Sequence, residues 1–223
     1  MIVFQRRVSP LVIALVLATL VISIVAAVAA RHDVGLYAQL ALVPAEVWRG
    51  ELWRLVTWTL VEDSPLALVF GCVTLAWFGG DLIEAWGERR FARFVATIVL
   101  LASVGTSVVA LALPDAWWSQ HLGGWALGDA LVIAWALEFP HRRIRVYGLF
   151  VVGGAVLAYG TLAVTALFAI FYGVTPFLPE LIAASAALLH MTGTLRRWRT
   201  TIERGYRRRH LRVVRGGDDL RWN

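Results

Sequence analysis

Long apolar runs separated by short polar segments dominate the chain. Six runs are apolar enough to enter or cross a membrane as helices, at about residues 9–30, 56–79, 92–113, 122–139, 146–171 and 179–195. A spanning helix needs about 20 apolar residues, and the fourth and sixth runs fall a little short of that length. Short spans that carry polar residues usually lie inside a bundle, shielded from lipid by neighbouring helices. The pattern therefore predicts an all-α, polytopic membrane protein with six transmembrane helices.

The composition supports the membrane class. The chain has 223 residues, of which 59% are hydrophobic and only 16% are charged, and its mean hydropathy is +0.70. Soluble domains usually carry about 25% charged residues. Cys72 is the one cysteine, which excludes an internal disulfide. An ordinary soluble domain is therefore excluded.

The arginines predict how the spans are oriented. The chain has no lysine, and with the N-terminus inside, 18 of its 21 arginines flank the spans on the cytoplasmic side, while Arg31, Arg49 and Arg54 lie outside. Cytoplasmic loops carry an excess of basic residues, so we expect both termini in the cytoplasm. The first run is also similar to a signal peptide, but it is longer than the 7–15 residues typical of such a core. We therefore expect an uncleaved span.

Two parts of the chain differ in character. Residues 1–195 form the predicted membrane domain, and residues 196–223 form a basic tail with ten arginines and three acidic residues. A basic segment beside a membrane can contact anionic lipid head groups, so membrane lipids are expected partners. The tail shows no recognition fold and no run of stacking aromatic residues. Nucleic-acid binding is therefore not expected.

Three segments resemble a known family. They read "LALVPAEVWRGELWRLVTWTL", "LAWFGGDLIEAWGERRFARF" and "ALEFPHRRIRVYG", and together they resemble the rhomboid family of six-span intramembrane serine proteases in order and spacing. The positions that match the family's structural motifs include Trp53, Arg54, Glu84 and Gly87. The resemblance implies a rhomboid-like bundle of six helices.

The resemblance also places the family's catalytic residues. Active members carry a Gly-x-Ser-Gly motif at the start of the fourth span, and its serine position falls near Trp125. Their histidine position on the sixth span falls near Ala183. Neither residue can serve as nucleophile or base, and no hydroxyl or thiol lies between Leu122 and Pro140. The resemblance therefore implies a proteolytically inactive member without a Ser-His dyad. We expect no cofactor, and we expect the protein to lie in a bacterial inner (plasma) membrane.

Three functions remain open at this point. The favoured one is non-catalytic binding of the transmembrane helices of partner proteins, as inactive relatives in the family do. The alternative is an active intramembrane serine protease with a displaced nucleophile, such as Ser103 or Ser107. A small-solute transporter is the third, and it would need a broken helix and a polar site at the midplane.

Asp129 and His190 are the ionisable residues best placed inside predicted spans. Counted from Leu122 and Leu181, they lie at similar depths of roughly 10 and 13 Å at about 1.5 Å per residue. An unpaired charge in a membrane is costly, so we hypothesise that the two side chains form a hydrogen bond across the fourth and sixth spans. Its expected role is to hold two short helices together. Two ligands do not close a zinc site, so no metal is expected.

Overall fold

The computed structural model describes residues 9–146 and 150–193. This part of the chain contains ten α-helices and one two-stranded hairpin, namely α1 Pro10–Ala30, α2 Leu36–Leu40, α3 Pro44–Trp48, α4 Arg54–Thr57, α5 Pro65–Trp86, α6 Glu88–Val109, α7 Pro114–Trp117, α8 Trp125–Glu138, β1 Arg143–Val146, β2 Phe150–Gly153, α9 Gly154–Tyr172 and α10 Leu178–Met191. Two 3₁₀ turns, Trp58–Leu60 and Thr175–Phe177, precede α5 and α10. The predicted basic tail lies outside the described residues.

Four helices are long and apolar enough to cross a membrane: α1, α5, α6 and α9. The helices α8 and α10 have 14 residues each, which is about 21 Å of helix against a hydrocarbon layer of about 30 Å. These two helices correspond to the short fourth and sixth runs of the sequence.

The helix α8 occupies the centre of the bundle. It packs against α5, α9 and α10, and eight of its residues are buried: Ala126, Leu127, Ala130, Leu131, Ile133, Ala134, Trp135 and Ala136. On the facing helix α10, the buried positions include four alanines: Ala183, Ala184, Ala186 and Ala187. Small residues let helices approach closely in a membrane. The helix α8, which corresponds to the short fourth run of the sequence, is therefore enclosed by its neighbours.

Serine caps and glycines set the ends of the long helices. Ser64 Oγ accepts a hydrogen bond from Ala67 N at 3.2 Å, and Pro65 occupies the first turn, where its missing N–H costs nothing. The predicted second span therefore began too early. Gly87, with φ of +78°, both ends α5 and begins α6, so one residue reverses the chain direction.

The all-α prediction missed the hairpin formed by β1 and β2. The strands pair antiparallel, from Arg143 opposite Gly153 to Val146 opposite Phe150. The predicted fifth span included β2, because an apolar run alone does not distinguish a strand from a helix. The helix α9 begins only at Gly154, where a Cβ would lie 3.0 Å from the Ala136 carbonyl oxygen.

Two sides of the bundle differ in their connections. The loop side consists of residues 31–64, 110–124 and 173–177, and backbone hydrogen bonds between Leu42 and His121 tie two of these segments together. The hairpin side carries β1, β2 and the turn at Gly87. Ser9, at the start of α1, also lies there, because its hydroxyl donates to Glu88 Oε1 at 2.5 Å.

Candidate functional site

A cavity of about 650 Å³ lies between α8 and α9. We call it the cleft. Its floor is α8, one wall is α9, Thr74 of α5 lies at the opposite edge, and Phe177 and Glu180 close it on the loop side. The residues that line it are Thr74, Trp125, Gly128, Asp129, Val132, Val152, Val156, Leu157, Gly160, Thr161, Val164, Thr165, Phe168, Phe177 and Glu180. The volume is within the 300–1,000 Å³ of small-ligand sites.

The cleft opens sideways, along the exposed surface of α9. Trp125, Val156 and Val164 line it, and they are 53%, 64% and 52% exposed. Val156 and Val164 belong to α9, one of the helices long enough to span a membrane. The opening therefore lies on the side of the bundle, beside a helix that is long and apolar enough to span a membrane.

Two carboxyl groups are the charged side chains that line the cleft. Asp129 Oδ2 accepts a hydrogen bond from Thr165 Oγ1 at 2.8 Å. Glu180 Oε2 is buried without a hydrogen-bond partner among the described residues, and the Asp129 and Glu180 carboxyls are close enough to interact electrostatically. We call these two residues the acid pair.

The acid pair lies level with the inner part of α9, away from the loop-side end of that helix. Thr165, which holds Asp129, is seven residues from the end of α9 at Tyr172, which is about 10 Å along the helix axis. Acidic side chains at such depth are expensive, and in membrane proteins they commonly mark functional sites. The cleft therefore has one polar point in an otherwise mostly apolar wall.

The structure does not bring Asp129 and His190 together as we expected from the sequence. Asp129 bonds to Thr165 and lies level with Glu180, whereas His190 is ten residues further along α10, about 15 Å away along the axis. The His190 ring packs against Phe94 of α6, with 5.3 Å between ring centroids. The depth comparison failed because α8 begins at Trp125 rather than Leu122 and α10 begins at Leu178 rather than Leu181. Asp129 is therefore nearer to the start of its helix than we expected, and His190 is farther from the start of its own.

Trp125 and Ala183, which match the serine and histidine positions of the rhomboid family, have ordinary surroundings. Trp125 is the first residue of α8 and lies at the mouth of the cleft. Ala183 is fully buried in the contact of α10 with its neighbours. The structure does not place these two residues together as parts of one site.

Among the other motif residues, Arg54 has the most developed environment. It is 6% exposed, its Nε donates to Glu51 Oε2 at 2.6 Å, and its Nη1 donates to the carbonyl oxygens of Ala38 and, at 2.8 Å, Ala41. Trp53 Nε1 donates to Gln39 O at 3.3 Å. Both residues thus organise the loop side, where a bidentate guanidinium suits several oxygens at once.

Glu84 lies on the exposed surface of α5, near its end on the hairpin side. Within the described ranges it is absent from the ion pairs with arginine. Gly87 has the backbone role described above.

Sequence reasoning missed Asp81, which is 2% exposed on α5. Its Oδ2 accepts from Trp135 Nε1 at 2.8 Å and from Arg142 Nη1 at 2.9 Å. The bonds join α5, α8 and the segment before β1. The signal was available, because "WFGGDLIEAW" places an acidic residue inside an apolar run.

Sequence reasoning also missed a serine–histidine contact, because both residues lie in one loop. Ser119 Oγ is 2.9 Å from His121 Nε2, and His121 Nδ1 is 3.3 Å from Pro176 O. A carbonyl only accepts, so Nδ1 carries a proton. Burial lowers the pKa of His121 to about 4, against a smaller opposite effect of the Pro176 carbonyl. The contact lies outside the cleft and ties the loops before α8 and α10 together.

A second buried acid, Glu62, joins α1, α5 and α8. Its Oε1 accepts from Gly124 N at 2.7 Å, and its own N–H donates to Ser23 Oγ at 3.0 Å. Cβ atoms at Gly71, Gly123 and Gly124 would lie between 2.9 and 3.2 Å from its carboxylate oxygens. Burial raises the pKa of Glu62, although the Gly124 hydrogen bond opposes this.

These observations define an α-helical membrane protein with a lateral cleft. The family model described as "Eukaryotic integral membrane protein (DUF1751)" matches residues 12–199. This range covers most of the chain, which therefore belongs to that family of integral membrane proteins. No curated protein matches the chain.

The family match corrects two expectations and confirms a third. The rhomboid resemblance is wrong, because the family found over nearly the whole chain is a different one. The interpretation of Trp125 and Ala183 as vacant catalytic positions is therefore wrong as well. The bacterial inner membrane is also not supported, since the family is described as eukaryotic. The prediction of an integral membrane protein with transmembrane helices is confirmed.

Proposed function

We propose that this protein binds a transmembrane helix of another protein in the cleft, without catalysing a reaction on it. The observation that carries the proposal is a cavity of about 650 Å³ that opens onto the lipid-facing surface and contains the acid pair. A membrane-embedded partner reaches such a site by lateral diffusion.

The physics of association in lipid favours a partner of this kind. Lipid chains are as apolar as leucine, so helices associate through close packing and polar contacts rather than through the hydrophobic effect. The cleft offers both. Gly160 has open space where a Cβ would be, which lets a partner backbone approach, and Asp129 and Glu180 supply polar contacts.

The chemistry of the lining supports a binding role. Its described residues include threonines and the acid pair, but no serine, cysteine or histidine. Nucleophilic catalysis needs a nucleophile within hydrogen-bond reach of a base. The Ser119–His121 contact has that spacing but lies outside the cleft, in the loop side.

We further propose that α8 and α10 also cross the membrane, which gives six crossings with both termini in the cytoplasm. The described arginines on the hairpin side support this orientation: Arg89, Arg90, Arg93, Arg142 and Arg143. On the loop side, Arg49 and Arg54 are each paired with a glutamate. Single cysteines introduced into a Cys72→Ser background test this orientation. Labelling of the hairpin side by an impermeant reagent from outside intact cells would contradict it.

A photoreactive amino acid at Val164 tests helix binding in cells. Val164 lies in the cleft and is 52% exposed, and Val21 of α1 is a matched control, also a valine and 54% exposed. We expect Val164 to form an adduct that maps to a membrane-spanning segment of an identified protein, whereas Val21 forms none. Gly160→Phe fills the cleft and should abolish the adduct, whereas Gly80→Phe on α5 should not, since a Cβ there also meets nothing within 4 Å. Lipid adducts alone at both positions would refute the proposal.

A further inference from the structure

We infer that the cleft selects a partner helix that carries a lysine or arginine about 10 Å inside its membrane-spanning segment, in contact with Asp129 and Glu180. The inference rests on the proposed function, and it adds the chemical identity of the group that is recognised.

The hydrogen bonds of the acid pair are incomplete. Thr165 donates to one oxygen of Asp129, while Glu180 Oε2 is buried without a donor in the described part of the chain. A buried acceptor without a donor costs free energy, and more so when it is charged. An N–H group from a partner, placed in the cleft, would supply the missing hydrogen bond.

The charge of the acid pair is also not balanced by the helices around it. The helices α5, α8, α9 and α10 line the cleft, and together they contain no lysine or arginine. Their one basic residue is His190, which lies about 15 Å further along α10. Two carboxyls, on helices of the cleft that carry no lysine or arginine, complement a positively charged group on the ligand. Such a group gains most where water is absent.

A helix fits this site better than a lipid amine. The acid pair lies about 10 Å below the end of α9, whereas the amine of a lipid sits at head-group level. An acyl chain in the cleft would gain little over its place among other chains, because both surroundings are apolar. A side chain on a transmembrane helix is held at a fixed depth, so its charged group reaches the acid pair directly.

Synthetic helices of known sequence test the inference. The probes are leucine–alanine peptides of about 20 residues, identical except for one residue, about seven positions from the loop-side end. That residue is lysine, glutamine or methionine, and a fourth peptide carries lysine at the opposite end. The full-length protein is reconstituted in lipid nanodiscs, and peptide binding is measured by energy transfer and by crosslinking from Val164.

We expect the lysine peptide to bind at least about tenfold more tightly than the methionine peptide, which corresponds to about 1.4 kcal/mol. Lysine at the opposite end should give no preference. Asp129→Asn with Glu180→Gln should remove the preference and leave the methionine peptide unchanged. The single variant Glu180→Gln, which keeps the Thr165–Asp129 bond, should reduce it. Glu84→Gln, which removes an exposed carboxyl outside the cleft, should retain it.

The outcomes separate the inference from the proposed function. If the lysine and methionine peptides bind equally and both crosslink from Val164, helix binding stands and the inference is overturned. A lysine preference that survives removal of both carboxyls also overturns it. If none of the peptides crosslinks from Val164, helix binding itself fails. Octadecylamine, a single-chain amine, is tested in the same nanodiscs. If its binding depends on the acid pair while the peptides show no preference, the inference is overturned in favour of a lipid amine.

Discussion

Gly123 and Gly50 allow the crowding around Glu62 to be measured separately from backbone strain. The two glycines have nearly the same φ, +104° and +103°. A Cβ at Gly123 would lie 2.9 Å from Glu62 Oε2, whereas a Cβ at Gly50 would meet nothing within 4 Å. Alanine at either position therefore introduces similar strain, but only Gly123→Ala also collides with a buried carboxylate.

The expected losses follow from these contacts. Left-handed backbone costs about 1–2 kcal/mol for a residue with a Cβ, so this is the full expected effect of Gly50→Ala. Glu62 is 4% exposed and is held by Gly124 N, so its carboxylate has little room to retreat. Overpacking a filled site typically costs about 1–3 kcal/mol more. Gly123→Ala should therefore lower the free energy of unfolding by about 2–5 kcal/mol.

Equilibrium unfolding in mixed micelles, followed by tryptophan fluorescence, measures both variants. The same substitutions are then repeated in a Glu62→Ala background, which removes the colliding atoms. We expect the loss for Gly123→Ala to fall to that for Gly50→Ala in this background, as a double-mutant cycle for contacting residues requires. Equal losses for the two glycine variants in the wild-type background, or no coupling to Glu62, would refute the reasoning.

Three further predictions concern other buried polar groups. Burial lowers the pKa of His121 from 6.5 to about 4, so the folded state keeps this residue neutral. The contribution of His121 to the free energy of unfolding should be complete above pH 6.5 and fall by about 3 kcal/mol as the pH drops from 6.5 through 4. The melting temperature of His121→Gln should depend less on pH over that window. Arg54→Lys should lower the free energy of unfolding by about 2 kcal/mol, because one ammonium cannot replace the Nε and Nη1 hydrogen bonds. Arg49→Lys, in the exposed pair with Glu46, should lower it by less than about 1 kcal/mol. Similar losses for the two variants in chemical denaturation would contradict this. Asp81→Ala should lower thermal stability more than Arg142→Ala, because Asp81 is buried and also accepts from Trp135, whereas the Arg142 side chain is 48% exposed. The opposite order would show that Arg142, rather than Trp135, provides most of the stabilising contact of Asp81.

The helices were predictable because each apolar run needed only length and composition to be recognised. The centre of the bundle followed from the same signal, since the short run with Asp129 became the buried helix α8. Boundaries were less predictable. Residues 56–60 are as apolar as a span, but Ser64 and Pro65 start the helix later, and only packing in the loop side decides between these alternatives.

The candidate site was predictable in part. Asp129 stood out as an acid in an apolar run, but its neighbours Thr165 and Glu180 come from α9 and α10, and a single sequence does not give the register of three helices. The contacts of Glu62 and Asp81 were not predictable for a related reason, although Asp81, like Asp129, is an acid in an apolar run. Each is defined by contacts with residues more than 50 positions away, and local patterns do not report such contacts.

The single-residue connection at Gly87 has a consequence for how the protein is made. With one residue between two helices of 22 residues, α5 cannot complete its passage through the bilayer without drawing the start of α6 to the membrane surface. The two helices should therefore enter the bilayer as one hairpin rather than one after the other. Because α8 follows this hairpin along the chain, α5 would already be in the bilayer when α8, which needs α5 as a neighbour to cover it, packs against it.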